Sequence, residues 1–184
     1  MQCILTALKA ESAPLIASFN LARSSSFDFP VFVNGTQELY LIGLGVGKSK
    51  VEYRIKKFID KINEPLMQFI NIGVAGSNQS FSEIGEIFLI NKITDEQFGH
   101  FYYPDILIDH SMMESDIVTV MDMVNDKDNI YNSLVDMEAS EIFRVCSPIV
   151  HIHNIAFIKI VSDHMKMDLA NFNGTLISSF ITDK

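Results

Sequence analysis

Residues 39–77 constrain the fold more than any other part of the chain. They open on a short apolar run, LYLIGLG, and close on another, LMQFINIGVAGS. Between them, from Ser49 to Ile62, Val51, Ile55, Phe58, Ile59 and Ile62 recur at helical spacing, and lysines and an arginine occupy the other faces. Such a stripe must be buried against a partner surface. Pro65 ends the helix, and the run that follows has the length and composition of a buried strand. Strand, helix and strand in succession are the grammar of an α/β domain.

The rest of the chain repeats this grammar. Residues 2–8, QCILTAL, form a first strand, and residues 10–20 follow with Leu15, Ile16 and Phe19 at helical spacing. In FPVFVNGTQELYLIGLG, Asn34-Gly35 separates two apolar runs, the strongest short-range hairpin signal, so the sheet is mixed. Further strands are expected in IGEIFLINKI (84–93), DIVTVMDMV (116–124) and NIAFIKIVSD (154–163). A polar stretch, NDKDNIYNS, precedes LVDMEAS (134–140), which reads as the start of a helix through Ile142 and Phe143. The tail MKMDLANFNGTLISSF reads as a short helical segment. No internal repeat or linker divides residues 1–184, which read as one domain with a mixed central sheet flanked by helices.

Composition narrows the partners. Apolar residues make up 48% and charged residues 20%, an ordered globular profile. A net charge of −9 speaks against nucleic acid and anionic membranes as partners. Two cysteines, Cys3 and Cys146, make no disulfide framework and read as buried thiols. The first residues lack a basic leader region, and no window reaches the roughly 20 apolar residues of a membrane span. A cytoplasmic protein is expected.

Ligands of α/β sheets bind beyond the carboxyl ends of the strands. At those ends stand Glu11, the glycine turn Gly73-Val74-Ala75-Gly76, the pair Ser162-Asp163, and Glu138 of LVDMEAS. Each acid alone would read as a solvated rim residue; their joint placement makes them candidates. Asp136 reads as a helix cap or structural acid. GLGVGKSK (43–50) falls one residue short of a Walker loop and lacks the third Rossmann glycine, so it reads as a tight strand-to-helix turn. His151 and His153 alternate near a strand, and no third ligand stands at usable spacing, so no metal is expected. The methionines read as core filler, Met137 excepted.

Taken in order, TALKAES, GLGVGKSK, FINIGVAGS, IGEIFLIN, VDMEAS and FIKIVSD resemble the purine nucleoside phosphorylase superfamily, and within it the methylthioadenosine/S-adenosylhomocysteine nucleosidases. The resemblance spans about Cys3 to Asp163, and VDMEAS with VSD is its specific part. It implies a three-layer nucleoside-phosphorylase-like fold, a small-molecule nucleoside as ligand, no cofactor, and a homodimer or higher assembly. It implies that Glu138 hydrogen-bonds the ribose hydroxyls, that Met137 packs on the sugar, and that Asp163, beside Ser162, donates a proton toward purine N7. Glu11 would orient and activate water, Gly73–Gly76 would approach the ribose, and Met123 and Val124 would lie near the base. Donation from Asp163 at neutral pH asks for burial that raises its pKa.

A phosphorylase must hold phosphate, usually with arginine. Where many of these phosphorylases carry such an arginine this chain has Asn71, and Arg54 and Arg144 fall in helical patterns. Water is therefore the expected nucleophile. Val74 replaces a common serine, Lys159 replaces a common arginine, and the region between Phe101 and Leu134 is short. The alternatives are a phosphate-dependent phosphorylase and a nucleoside-binding relative without turnover. The aromatic run from Phe98 to Pro104 reads either as a subunit contact or as ordinary core.

Overall fold

The computed structural model describes residues 1–36, 38–62, 67–125 and 130–165, together with Ser179 and Ile181. In β1 (Gln2–Thr6) side chains alternate between two faces: Cys3 and Leu5 enter the larger apolar cluster, and Ile4 enters a smaller one opposite. α1 (Lys9–Ser18) covers the smaller cluster through Leu15. A short β2 (Ala22–Arg23) pairs with β3 (Val31–Val33), which pairs antiparallel with β4 (Leu39–Gly43) across the expected Asn34-Gly35 turn. α2 (Lys48–Ile62) then crosses the other face. It buries Val51, Ile55 and Phe58, with Ile59 and Ile62 half-buried at the margin.

The chain returns in β5 (Gln68–Gly76), parallel to β1. β6 (Ile87–Asp95), β7 (His100–Tyr102), β8 (Met113–Thr119), β9 (Leu134–Asp136), α3 (Ala139–Cys146) and β10 (Ile155–Asp163) complete the described elements. α3 packs beside α2, so helices lie on both faces of a mixed sheet, and the expected three layers are present. At one end the sheet curls: β10 pairs with β6, β6 with β8, β8 with β9, β9 with β5, and β5 with β10, closing a ring. At the other end β1, β4, β3 and β2 run out as an open edge.

Several expectations shift. Residues 73–76 are not a turn; they are the last four residues of β5, paired in parallel with β10 from Gly73–Lys159 to Gly76–Asp163. The opening of LVDMEAS is strand β9, and its helix starts only at Ala139. β8 starts at Met113 and ends at Thr119, which leaves Met123 and Val124 in the following loop. His151 stands just before a single 3₁₀ turn, Ile152–Asn154, and His153 within it, with their rings stacked 5.4 Å apart. Pro65 and all but Met165 and Ser179 of the expected helical tail lie outside the described residues. Cys3 and Cys146 are free and buried. In the aromatic run Tyr102 packs on Phe143 with ring centroids 5.0 Å apart, whereas Phe98, Phe101 and Tyr103 are exposed.

One irregularity aims the last strand. β10 is in register with β5 through Val161–Ala75, and then slips so that Asp163, not Ser162, pairs with Gly76. An extra residue of this kind bends a strand and redirects its side chains.

The larger core centres on Phe58, which is fully buried, 5.7 Å from the Phe27 ring and 5.2 Å from that of Tyr40. Phe58→Ala removes the wedge between α2 and the sheet, and is expected to lower the stability to denaturant by about 3–5 kcal/mol. A midpoint unchanged in urea titration would contradict this packing.

Candidate active site

Glu11 sits in the first turn of α1 and is buried. One carboxylate oxygen accepts the amides of Ala7 and Leu8, both at 2.8 Å, and the other accepts the amide of Val74 at 3.0 Å. The acid thus caps its own helix and bolts it to β5. This close approach explains Gly73, where a side chain would begin 3.2 Å from the Glu11 oxygen and 3.6 Å from the Lys159 ammonium. Burial pushes the Glu11 carboxyl up, against the pull of those amides and of Lys159.

The two acids of LVDMEAS have different surroundings. Asp136 ends β9 with three donors on its carboxylate. One oxygen takes the Thr119 hydroxyl at 2.8 Å; the other takes the Ala139 amide at 2.9 Å and the Lys159 ammonium at 2.8 Å. It both caps α3 and forms an ion pair whose side chains are 1% and 2% exposed. Glu138, two residues on, lies in a cleft at the head of α3, where the Gly47 backbone favours its charged form. Burial, with Asp136 beside it, pushes its carboxyl up to about 7, opposed by Lys159.

Asp163 ends β10 just after the register slip. The Ser162 hydroxyl donates to one of its oxygens at 2.7 Å, and the Met165 amide to the other at 2.8 Å. Deep burial was expected of this acid, but it is half-buried, because the open end of the strand faces the cleft. Met165, in a left-handed conformation at φ 53°, folds back against Gly76, where a Cβ would stand 2.8 Å from the Met165 Cγ.

These groups surround a cleft of about 510 Å³. Glu11, Val74, Ala75, Gly76, Met123, Val124, Met137, Glu138, Ser162 and Asp163 all line it. Gly73 lies behind it, against Glu11 and Lys159. The sequence reading missed Val46, Val120, Val135 and Met165 in the walls, and took Lys159 only as a replacement. A lysine inside the apolar run FIKIV was its signal. Among the described residues four carboxylates line the cleft, Glu11, Asp136, Glu138 and Asp163, and no lysine, arginine or histidine does. Arg144 is engaged by Glu141 and Glu52, and Arg54 reaches the Gly43 carbonyl. No three or more His, Cys, Asp or Glu side chains are placed so that they could hold a metal ion among the described residues.

No family model matches the chain, and no curated protein matches its sequence. Solved structures do. A methylthioadenosine/S-adenosylhomocysteine nucleosidase of Campylobacter jejuni superposes with a TM-score of 0.77 at 17% identity, over 99% of this chain and 93% of that one. A nucleosidase of the same kind from Chlamydia trachomatis gives 0.78 at 17%, over the same shares. The futalosine hydrolase of Helicobacter pylori gives 0.73 at 17%, over 98% and 92%. The chain has the nucleosidase fold.

Within that nucleosidase fold the raised carboxyl of Glu138 makes stability depend on pH. The folded state binds this proton more tightly than the unfolded chain, whose glutamate titrates near 4.5. Its stabilising contribution is complete below about pH 4.5 and is lost as pH rises toward about 7. Glu138→Gln, which cannot ionise, is expected to flatten that fall and to gain on the parent at pH 8 by a few kcal/mol. Denaturant titrations of both proteins at pH 5 and pH 8 measure it; parallel pH profiles would contradict the assignment.

Proposed function

We propose that the chain is a nucleosidase, hydrolysing the N-glycosidic bond of a purine (adenine-type) nucleoside to free base and sugar. The observation that carries this reading is the charge of the cleft: four carboxylates and, among the described residues, no cation in the lining. Such a cleft repels phosphate and favours a sugar that gains positive charge as its bond to the base breaks. The nucleosidases and the hydrolase that share its fold support the same substrate class.

Each residue then has a task. Glu138 takes the ribose hydroxyls at the head of α3, and Met137 packs beside the sugar. Asp163, held by the Ser162 hydroxyl and the Met165 amide, hands a proton to purine N7 as the carbon–nitrogen bond breaks. A bound base would complete the burial of this half-open acid. Water adds to the anomeric carbon from the side of Glu11, which takes its proton. Val46, Val120, Val135, Met123 and Val124 supply apolar walls for the base and the 5′ substituent.

Residues 1–184 are read as one such domain. The exposed Phe98, Phe101 and Tyr103 support a homodimer or higher assembly as its working form. No described helix is long and apolar enough to cross a membrane, and the reading places the enzyme in the cytoplasm.

Incubation with methylthioadenosine, adenosylhomocysteine, adenosine, inosine and futalosine, with and without phosphate, tests the reading. Base release independent of phosphate is expected. Release only with phosphate would make the protein a phosphorylase, and binding without release a non-catalytic relative. Asp163→Asn keeps the shape and removes the donated proton; a fall in kcat of about 10²–10⁴-fold is expected, and unchanged turnover would refute its role.

A further inference from the structure

Asp95 lies outside the cleft, yet more hydrogen bonds converge on its carboxylate than on any acid within it. It ends β6 and is 4% exposed. One oxygen accepts the Lys48 ammonium at 2.9 Å and the Ser140 hydroxyl at 2.8 Å. The other accepts the amides of Gln97 and Phe98 at 3.0 and 3.2 Å. Lys48 and Ser140 are not arbitrary partners. Lys48 begins α2 directly after Gly47, whose backbone favours the charged form of Glu138. Ser140 stands in the first turn of α3, two residues past Glu138. Asp95 therefore grips the head of α2 and the head of α3, the helix that Glu138 directly precedes.

We propose that Asp95 is a positioning residue for Glu138, fixing the heads of α2 and α3 against each other through Lys48 and Ser140. The network continues on the far side of the loop. The Ser140 amide donates to the Thr119 hydroxyl at 3.0 Å, and that hydroxyl donates to Asp136, which holds Lys159. Met137 and Glu138 are thus bracketed between two anchored residues, Asp136 before them and Ser140 after. An aspartate is required because all four donors, one of them charged, need an acceptor. In an asparagine, one of the two oxygens becomes an NH₂ group and faces donors with a donor. Such shells hold an active-site side chain in the one geometry it needs.

The proposal rests on the reading of Glu138 as the ribose-binding acid, and its test separates the two. Asp95→Asn and the milder Ser140→Ala are compared with the parent in hydrolysis of methylthioadenosine, with adenine as a competing product. Glu138 touches the sugar and not the base, so KM for the nucleoside is expected to rise about tenfold while the inhibition constant of adenine stays the same. A general loosening would weaken both together, and that result, or no change in either, would overturn the proposal. Ser140→Ala carries the comparison if Asp95→Asn does not fold. Amide hydrogen exchange over residues 137–142 gives a readout that needs no turnover. Faster exchange confined to that segment and the head of α2 is expected, and unchanged exchange would overturn the positioning role. A parent that releases no base from any nucleoside defeats the functional reading instead, while the exchange result still judges Asp95.

Discussion

The ammonium of Lys159 is the interaction on which the site depends. It is buried in the sheet with Asp136 at 2.8 Å, and Glu138 and Glu11 are close enough to act on it. Three acids cannot share a dry interior without a counter-charge, and a charge removed from water is tolerated only when paired and hydrogen-bonded. The sheet makes room for that counter-charge through its register. Lys159 pairs with Gly73 across β10 and β5, and the missing side chain at Gly73 leaves room for both the Glu11 carboxylate and the Lys159 ammonium. Burial raises the carboxyls of Glu11 and Glu138 even with that ammonium at hand, and beside Glu138 the charge of Asp136 adds to the rise. Asp136, closest to the ammonium, gives its acceptors to Thr119, Ala139 and Lys159, and Glu138 is the acid of the pair that the proposed function assigns to the ligand.

Much of this was legible in the sequence because the acids stand where strands end. Glu11, Glu138 and Asp163 could be placed from the order of apolar runs, and the three layers from helical and strand periodicity. Asp136 of LVDMEAS reads as a cap from its position, whereas the role of Glu138 comes only through the resemblance; in the structure three donors, the Lys159 ammonium among them, hold Asp136. Residues 73–76 were misplaced because small residues in succession carry a turn signal locally, whereas pairing with β10 holds them in a strand. β9 was overlooked since three residues leave no periodicity to read.

What the sequence hid has a common cause. Thr119, Ser140 and Asp95 find their partners across gaps of 17 to 47 residues, and nothing local marks a serine or threonine as the donor that fixes a distant acid. Lys159 was visible as a charge in an apolar run, but its partner Asp136 was assigned to a helix cap, so the pair was not assembled. Met165 entered the wall because a left-handed residue after Asp163 doubles the chain back, a conformation that methionine itself does not announce.

The register slip between Val161 and Asp163 sets how this chain can change in length. Side chains of a strand alternate, so one residue removed or added there would exchange the faces addressed by Ser162 and Asp163 and carry the acid away from the cleft. The hairpin loop after Asn34 stands at the open edge of the sheet, where extra residues cost only the slow logarithmic growth of loop closure. Two single-residue insertions of the same size would therefore have opposite consequences: one would be absorbed as a longer loop, and the other would leave the fold standing around a cleft with its acid on the wrong side.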